Sequence, residues 1–98
     1  MNKPTLVAAE RNLVLRHSGM EDTVVVRFFV PNLIPEGDWE CQYEIRGGPI
    51  QHAHRTVGID SVQALSLAMD GVVAELDFFE RKHNAKFFFL DEPGHEFK

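Results

Sequence analysis

The sequence predicts an α+β fold: an antiparallel four- to five-stranded meander sheet with one long helix packed across one face. Three observations predict it. The hydrophobic period is two before Gly58 and 3.6 after it. The stretch WECQYEIR alternates strictly, with Trp39, Cys41, Tyr43 and Ile45 on one face and Glu40, Gln42, Glu44 and Arg46 on the other. Beyond Asp60, the residues Val62, Leu65, Met69, Val72, Leu76 and Phe79 recur three and four apart, the stripe of an amphipathic helix.

Taken in order, Thr5 to His17 reads as a first strand, apolar with polar interruptions, and HSGMED after it has the glycine and acids of a turn. TVVVRFFV, Thr23 to Val30, is β-branched and aromatic and stops at Pro31, where a ladder would lose a donor. PNLIPEGD is a loop, WECQYEIR the third strand, and Gly47, Gly48 and Pro49 turn it into a fourth, Gln51 to Val57. The helix begins at Asp60 and fades between Lys82 and Asn84, where Arg81, Lys82 and His83 meet the dipole and asparagine suits a left-handed cap. Ala64, Ala68 and Val73 flank its stripe. Gly71 costs this helix about 1 kcal/mol against alanine, and the return expected is close approach to the sheet. KFFFL is a fifth strand, and residues 91–98 form a tail expected to fray.

The 98 residues are expected to make one domain, long enough to bury about two-thirds of its unfolded surface without metal or disulfide. A single cysteine, Cys41, excludes an internal disulfide framework and suits a reducing compartment, so the expected location is the cytoplasm. No apolar run approaches the ~18 residues of a membrane span, and the N-terminus has no uninterrupted h-region, so no membrane association is expected. The formal charge of −5 repels polyanions, which argues against a nucleic-acid partner.

GIDSVQALSLA has the outline of a carrier-protein attachment site, with Ser61 as the serine that would bear a phosphopantetheine arm. The context argues otherwise, since the residues upstream are β-branched, proline-bearing and alternating, none of which a helical bundle favours. A capping box accounts for the same residues: Asp60 as N-cap accepts from first-turn amides, and Gln63 reaches back to the amide of the cap. DWECQYEI followed by GIDSVQALSLAM also resembles a family of small bacterial proteins of unknown function that share a Trp-x-Cys-x-Tyr strand and a Gly-x-Asp-Ser-x-Gln-Ala-Leu helix start, over Asp38 to Leu76. That resemblance implies a bacterial source and brings no activity with it.

Chemical candidates are few. His52 and His54 lie two apart on a strand, so both imidazoles point one way, a spacing that chelates a metal when a third ligand is near. Their surroundings depend on hairpin register. With Arg46 facing Gln51 they sit beside Ile45 and Tyr43 on the buried face; with Arg46 facing His52 they sit beside Arg46 and Glu44 on the polar face. The second is preferred, because burying two unpartnered imidazoles costs more than burying Ala53 and Val57 gains. Cys41, between Trp39 and Tyr43 on the apolar face, reads as inert core filler. The carboxylate pairs Glu21-Asp22, Glu36-Asp38 and Asp91-Glu92 all fall in turns or the tail, and no phosphate loop, dinucleotide fingerprint or nucleophile elbow is present.

The expected function is that of a small cytosolic interaction module without catalysis or cofactor: an inhibitor, an immunity-like protein or an adaptor. The alternative is a small-molecule- or metal-binding enzyme built on His52, His54 and Glu44 or Tyr43, and the third reading is the carrier. The expected interface, to a protein partner or in a homodimer, is Val25, Phe29, Phe88 and Leu90, which alternation places on the sheet face away from the helix unless loop 31–38 covers it. One prediction follows for Ser61. Incubation with coenzyme A and a promiscuous phosphopantetheinyl transferase leaves the intact mass unchanged, whereas a mass gain lost in Ser61→Ala would establish the carrier reading.

Overall fold

The computed structural model describes residues 6–97 and has the expected α+β architecture, an open antiparallel sheet with one helix packed on it. Strand β1 (Val7–His17) turns at Ser18 and Gly19, both at positive φ, into β2 (Met20–Phe29), a type I′ hairpin closed by His17 and Met20. Thr5, where the first strand was expected to begin, lies outside the described residues. After Pro31 a two-residue strand, β3 (Asn32–Leu33), pairs with the start of β4 (Trp39–Gly47). Strand β4 pairs with β2 on that same side and with β5 (Ile50–Gly58) on the other. Helix α1 (Ser61–His83) then carries the chain back across the sheet to β6 (Lys86–Phe89), which joins the free side of β1, and β7 (Glu92–Pro93) ends the sheet.

The β4–β5 hairpin takes the register not preferred from the sequence. Arg46 pairs with Gln51, Ile45 with His52 and Tyr43 with His54, so both histidines lie on the helix side and Ala53 and Val57 face outward. The turn decides it. Gly48 has φ +52 and Pro49 fixes its own φ, so Gly47 and Ile50 close a two-residue turn rather than a longer one. The penalty that argued against this register is reduced, because β5 is an edge strand and leaves His54 exposed and His52 only partly covered; it falls on the Nε2 of His52, which is shielded and has no hydrogen bond among the described residues.

The core consists of Leu13, Leu15, Val24, Val26, Phe28, Cys41, Tyr43, Ile45, Ile50 and Phe87 from the sheet, with Ala64, Ala68, Val72 and Leu76 from the helix. The buried helix line is therefore centred on small residues spaced by four. Leu65, Met69 and Phe79 flank it half-buried, and Val62, expected on the stripe, is 73% exposed. Close approach explains the shift. A Cβ on Gly71 would stand 2.9 Å from the hydroxyl of Tyr43, so the helix rests directly on that ring, and two alanines keep the line narrow. The Thr56 hydroxyl donates to the Ala64 carbonyl at 2.7 Å and ties β5 to the first turns of the helix.

Helix α1 packs on β5 and β4 and barely on β2 or β6, so half of the inner sheet face needs another cover. The tail supplies it. Residues 91–98, expected to fray, dock as far as residue 97, and Lys98 lies outside the described residues. Arg11 donates to the carbonyls of His95 (3.1 Å) and Glu96 (2.9 Å), and its guanidinium lies 4.3 and 4.6 Å from the ring centres of Phe89 and Phe97. Phe97 meets Phe28 edge-on, and His95, buried, lies 3.1 Å from Asp77 of the helix. The Arg11 guanidinium thus lies between ring faces of β6 and the tail and donates to two tail carbonyls.

Asp60 is the N-cap, extended, and accepts from the Gln63 amide at 2.8 Å; the Gln63 side chain accepts from the amide of Ile59 rather than that of Asp60. Asn84 caps the other end in the left-handed conformation. Asp60→Ala should lower stability by about 1 kcal/mol and Gln63→Ala by less, with the double variant losing less than the sum, as measured by urea denaturation. Full stability in Asp60→Ala would mean that the helix start is held by something else.

Candidate functional site

Three surfaces carry chemistry or apolar area not consumed by the core. The first is the histidine face of β5. His52 and His54 are brought together, ring centres 6.2 Å apart, and each lies about one ring width from Tyr43, at 5.9 and 6.1 Å. The Nε2 of His52 is shielded from solvent, with the Glu75 carboxylate at 3.5 Å and no hydrogen bond among the described residues. Burial and the nearby Glu75 push the Tyr43 phenol above its ordinary value. Glu44, the expected third member, is on the opposite face, where Arg46 (2.8 Å) and Arg27 (3.0 Å) hold its carboxyl below the ordinary range. Sequence reasoning missed Glu75. The signal was Gly71, which marks the helix face nearest the sheet, and Glu75 is one turn further along that face. Among the described residues no three of His, Cys, Asp and Glu form a metal-binding group.

The second surface is the outward face of the sheet. Its centre is tiled by ion pairs, Glu10–Arg27–Glu44–Arg46, with Arg16–Glu21 at one end. Val25, Phe29 and Phe88 lie half-buried on this face, where Val25 has Asn12 and Arg46 as cross-strand neighbours and the Arg16 guanidinium stacks over Phe88 at 4.2 Å. Leu90 has left the strand for the β6–β7 turn, at φ +51 and 79% exposed. Loop 31–38 rises over the β4–β5 end and bounds an open concavity of about 740 Å³, lined by Ile34, Glu36, Asp38, Glu40, Ala53 and Arg55. Within it Glu40 is only 5% exposed, hydrogen-bonded to Arg55 and, at 2.9 Å, to the Gln42 amide. Arg55 above all, then Gln42, holds its carboxyl below the ordinary value. This carboxylate is fully partnered, which suits a structural ion pair better than an acid or base. Cys41 faces the core, donates to the Phe29 carbonyl, and has its thiol pushed up by burial, which makes it a poor nucleophile.

The third surface was not foreseen. Strand β5 pairs with β4 over all nine of its residues, and among the described residues nothing pairs with its other side. In an antiparallel ladder closed by Gly47 and Ile50, residues 50, 52, 54 and 56 direct their amides to β4, so those of Gln51, Ala53, Arg55 and Val57 point outward. Beside this edge the helix carries a second stripe, Leu67, Gly71, Ala74 and Phe78, at spacings of four, three and four. Leu67 is 39% and Phe78 50% exposed. Gly71 over Tyr43 and Glu75 beside His52 place this stripe on the β5 side of the helix.

Compared with known proteins, residues 9–98 match the profile of one family, described as a domain of unknown function, DUF6968. No curated protein and no solved structure matches the chain.

The Glu40–Arg55 pair generates a pH-dependent prediction. Arg55→Ala should destabilise the fold at pH 7 by about 1–2 kcal/mol, since it strips a nearly buried carboxylate of its charged donor, discounted for the exposure of Arg55. Glu40 has a folded value below its unfolded 4.5, so its contribution is full above that pH and lost as pH falls through the folded value. Denaturation midpoints of wild type and variant should therefore converge in acid; a pH-independent gap would show that the pair contributes only packing.

Proposed function

We propose that this chain, which belongs to the DUF6968 family of domains of unknown function, is a small non-catalytic protein-interaction module of the bacterial cytoplasm, an inhibitor, immunity-like protein or adaptor. The observation that carries the reading is the unblunted edge of β5. Elsewhere the sheet is defended. Strand β7 is two residues long and contains Pro93, the β1–β2 ladder is irregular between Val7 and Ala9, and tail residues His95 and Glu96 are bonded to Arg11 of β1. Strand β5 has none of these devices. It is nine residues of regular register with outward amides and an apolar helix stripe alongside, which is the makeup of a strand-addition site.

The enzyme reading has less support. His52 and His54 have Tyr43 and Glu75 beside them, but the proposed Glu44 is on the far face and Cys41 is sealed in the core. The cytoplasmic setting is supported by the same Cys41, an unpaired thiol that suits a reducing compartment. Among the described residues no helix is long and apolar enough to cross a membrane.

The test is site-resolved photo-cross-linking in bacterial cells, with a benzophenone amino acid at Ala53 on the β5 edge or at Asn12 on the outward face. A discrete adduct from Ala53 and none from Asn12 is expected. Equal labelling at both positions, or none at Ala53, would overturn the edge-binding reading.

A further inference from the structure

Resting on that reading, we infer that the occupant of the β5 edge is a second copy of this chain, joined by antiparallel β5–β5 pairing and α1–α1 packing about one two-fold axis. Both halves of the surface are self-complementary about the same point. On the helix, the midpoint of the stripe falls between Gly71 and Ala74. On the strand, Gly71 lies over Tyr43, which pairs with His54, and Glu75 lies beside His52. The middle of the helix stripe is therefore level with Ala53. A two-fold through Ala53 sets the outward amides and carbonyls of Ala53 against those of Ala53 in the second copy, and Gln51 against Arg55. The same axis sets Leu67 against Phe78 and brings the two small residues, Gly71 and Ala74, to the helix crossing.

The spacing agrees. Helix α1 packs on β5 and β4 to nearly the same extent, so its axis lies over the gap between them. Adding β5 of a second copy one strand spacing away, ~4.8 Å, puts the two helix axes roughly 10 Å apart. Packed helices lie about 8–10 Å apart, with the shorter distances at small residues. A partner presenting a bare strand would satisfy the edge but leave Leu67 and Phe78 in water. A second copy covers both, and its closed symmetry consumes the edge so that assembly stops at two. The outward face, with its alternating charges, is left wet in the dimer.

The test uses the full chain. Sedimentation velocity at micromolar concentration should show a dimer for wild type, and a monomer for Ala74→Glu with an unchanged far-ultraviolet circular dichroism spectrum. Ala74 is exposed, so the variant reports on the interface rather than on folding. In a second measurement, Ala53→Cys treated with a short bis-maleimide should give a species of twice the 11.2 kDa chain mass, while Asn12→Cys and wild type should not, Cys41 being buried. A monomeric wild type, or a dimer indifferent to Ala74→Glu with no cross-linking at Ala53→Cys, would overturn the proposal. Its failure is separable from that of the broader reading: an Ala53 photo-adduct of another mass in cells keeps the interaction module and removes the second copy, whereas no adduct removes both.

Discussion

The contact between Gly71 and the hydroxyl of Tyr43 fixes where the helix sits, and most of the remaining structure adjusts to it. A residue with a side chain at 71 would lift the helix off the ring, whereas glycine lets it settle over β4 and β5 with Ala64, Ala68 and Val72 against the strands. Thr56 holds the first turns in that lane through the Ala64 carbonyl. Two consequences follow on opposite flanks. On the β1 and β2 side a 23-residue helix leaves uncovered sheet, and Arg11 with the aromatic tail fills it. On the β5 side the helix reaches the edge of the sheet, so its flank residues Leu67 and Phe78 stay partly exposed.

The two sheet faces are stabilised by different physics. Inside, burial of apolar area dominates, and the Arg11 charge beside it is stabilised by ring faces and carbonyls. Outside, a chain of carboxylates and guanidinium groups crosses three strands, each pair exposed enough that it contributes little alone. What such a network does well is match strands to one another, since a slip of one residue would set Arg27 opposite Tyr43 or Ile45, and in one direction a slip of two would set it opposite Arg46. Glu40 departs from that pattern, buried under Arg55 at the foot of loop 31–38, and so binds the loop end of the sheet through charge.

Much of the architecture was legible in the sequence because it rests on periodicity. The alternation in 39–46, the change of period at Gly58, the Asp60 cap and the Asn84 terminus are local signals, and the structure places strands and helix where they indicate. What was not legible is relational. The turn geometry of Gly48-Pro49 set the β5 register against an argument from the cost of burying two unpartnered imidazoles. Of the helix stripe read from the sequence, Val72 and Leu76 are buried and Leu65, Met69 and Phe79 flank them, while Ala64 and Ala68, read only as its flank, complete the buried line. The docked tail depends on Arg11, more than eighty positions away, which no window of sequence connects to Phe97. The candidate surface was hidden for the same reason: a strand and a helix stripe become one surface only when the lane of the helix is known.

The pairing of β6 with β1 also bears on how the chain reaches this state. Three hairpin and loop closures, β1–β2, β2–β4 and β4–β5, join neighbours in sequence, but Leu15 meets Phe87 only after the helix has crossed the sheet. Closing that long span is entropically slow compared with forming the hairpins. Until it closes, β1 is itself an edge, with Leu13 and Leu15 uncovered on one face. The period of greatest danger from wrong association is thus a kinetic one, in which the early meander must outlast its own exposed first strand, and conditions that delay helix docking should favour aggregates over native protein.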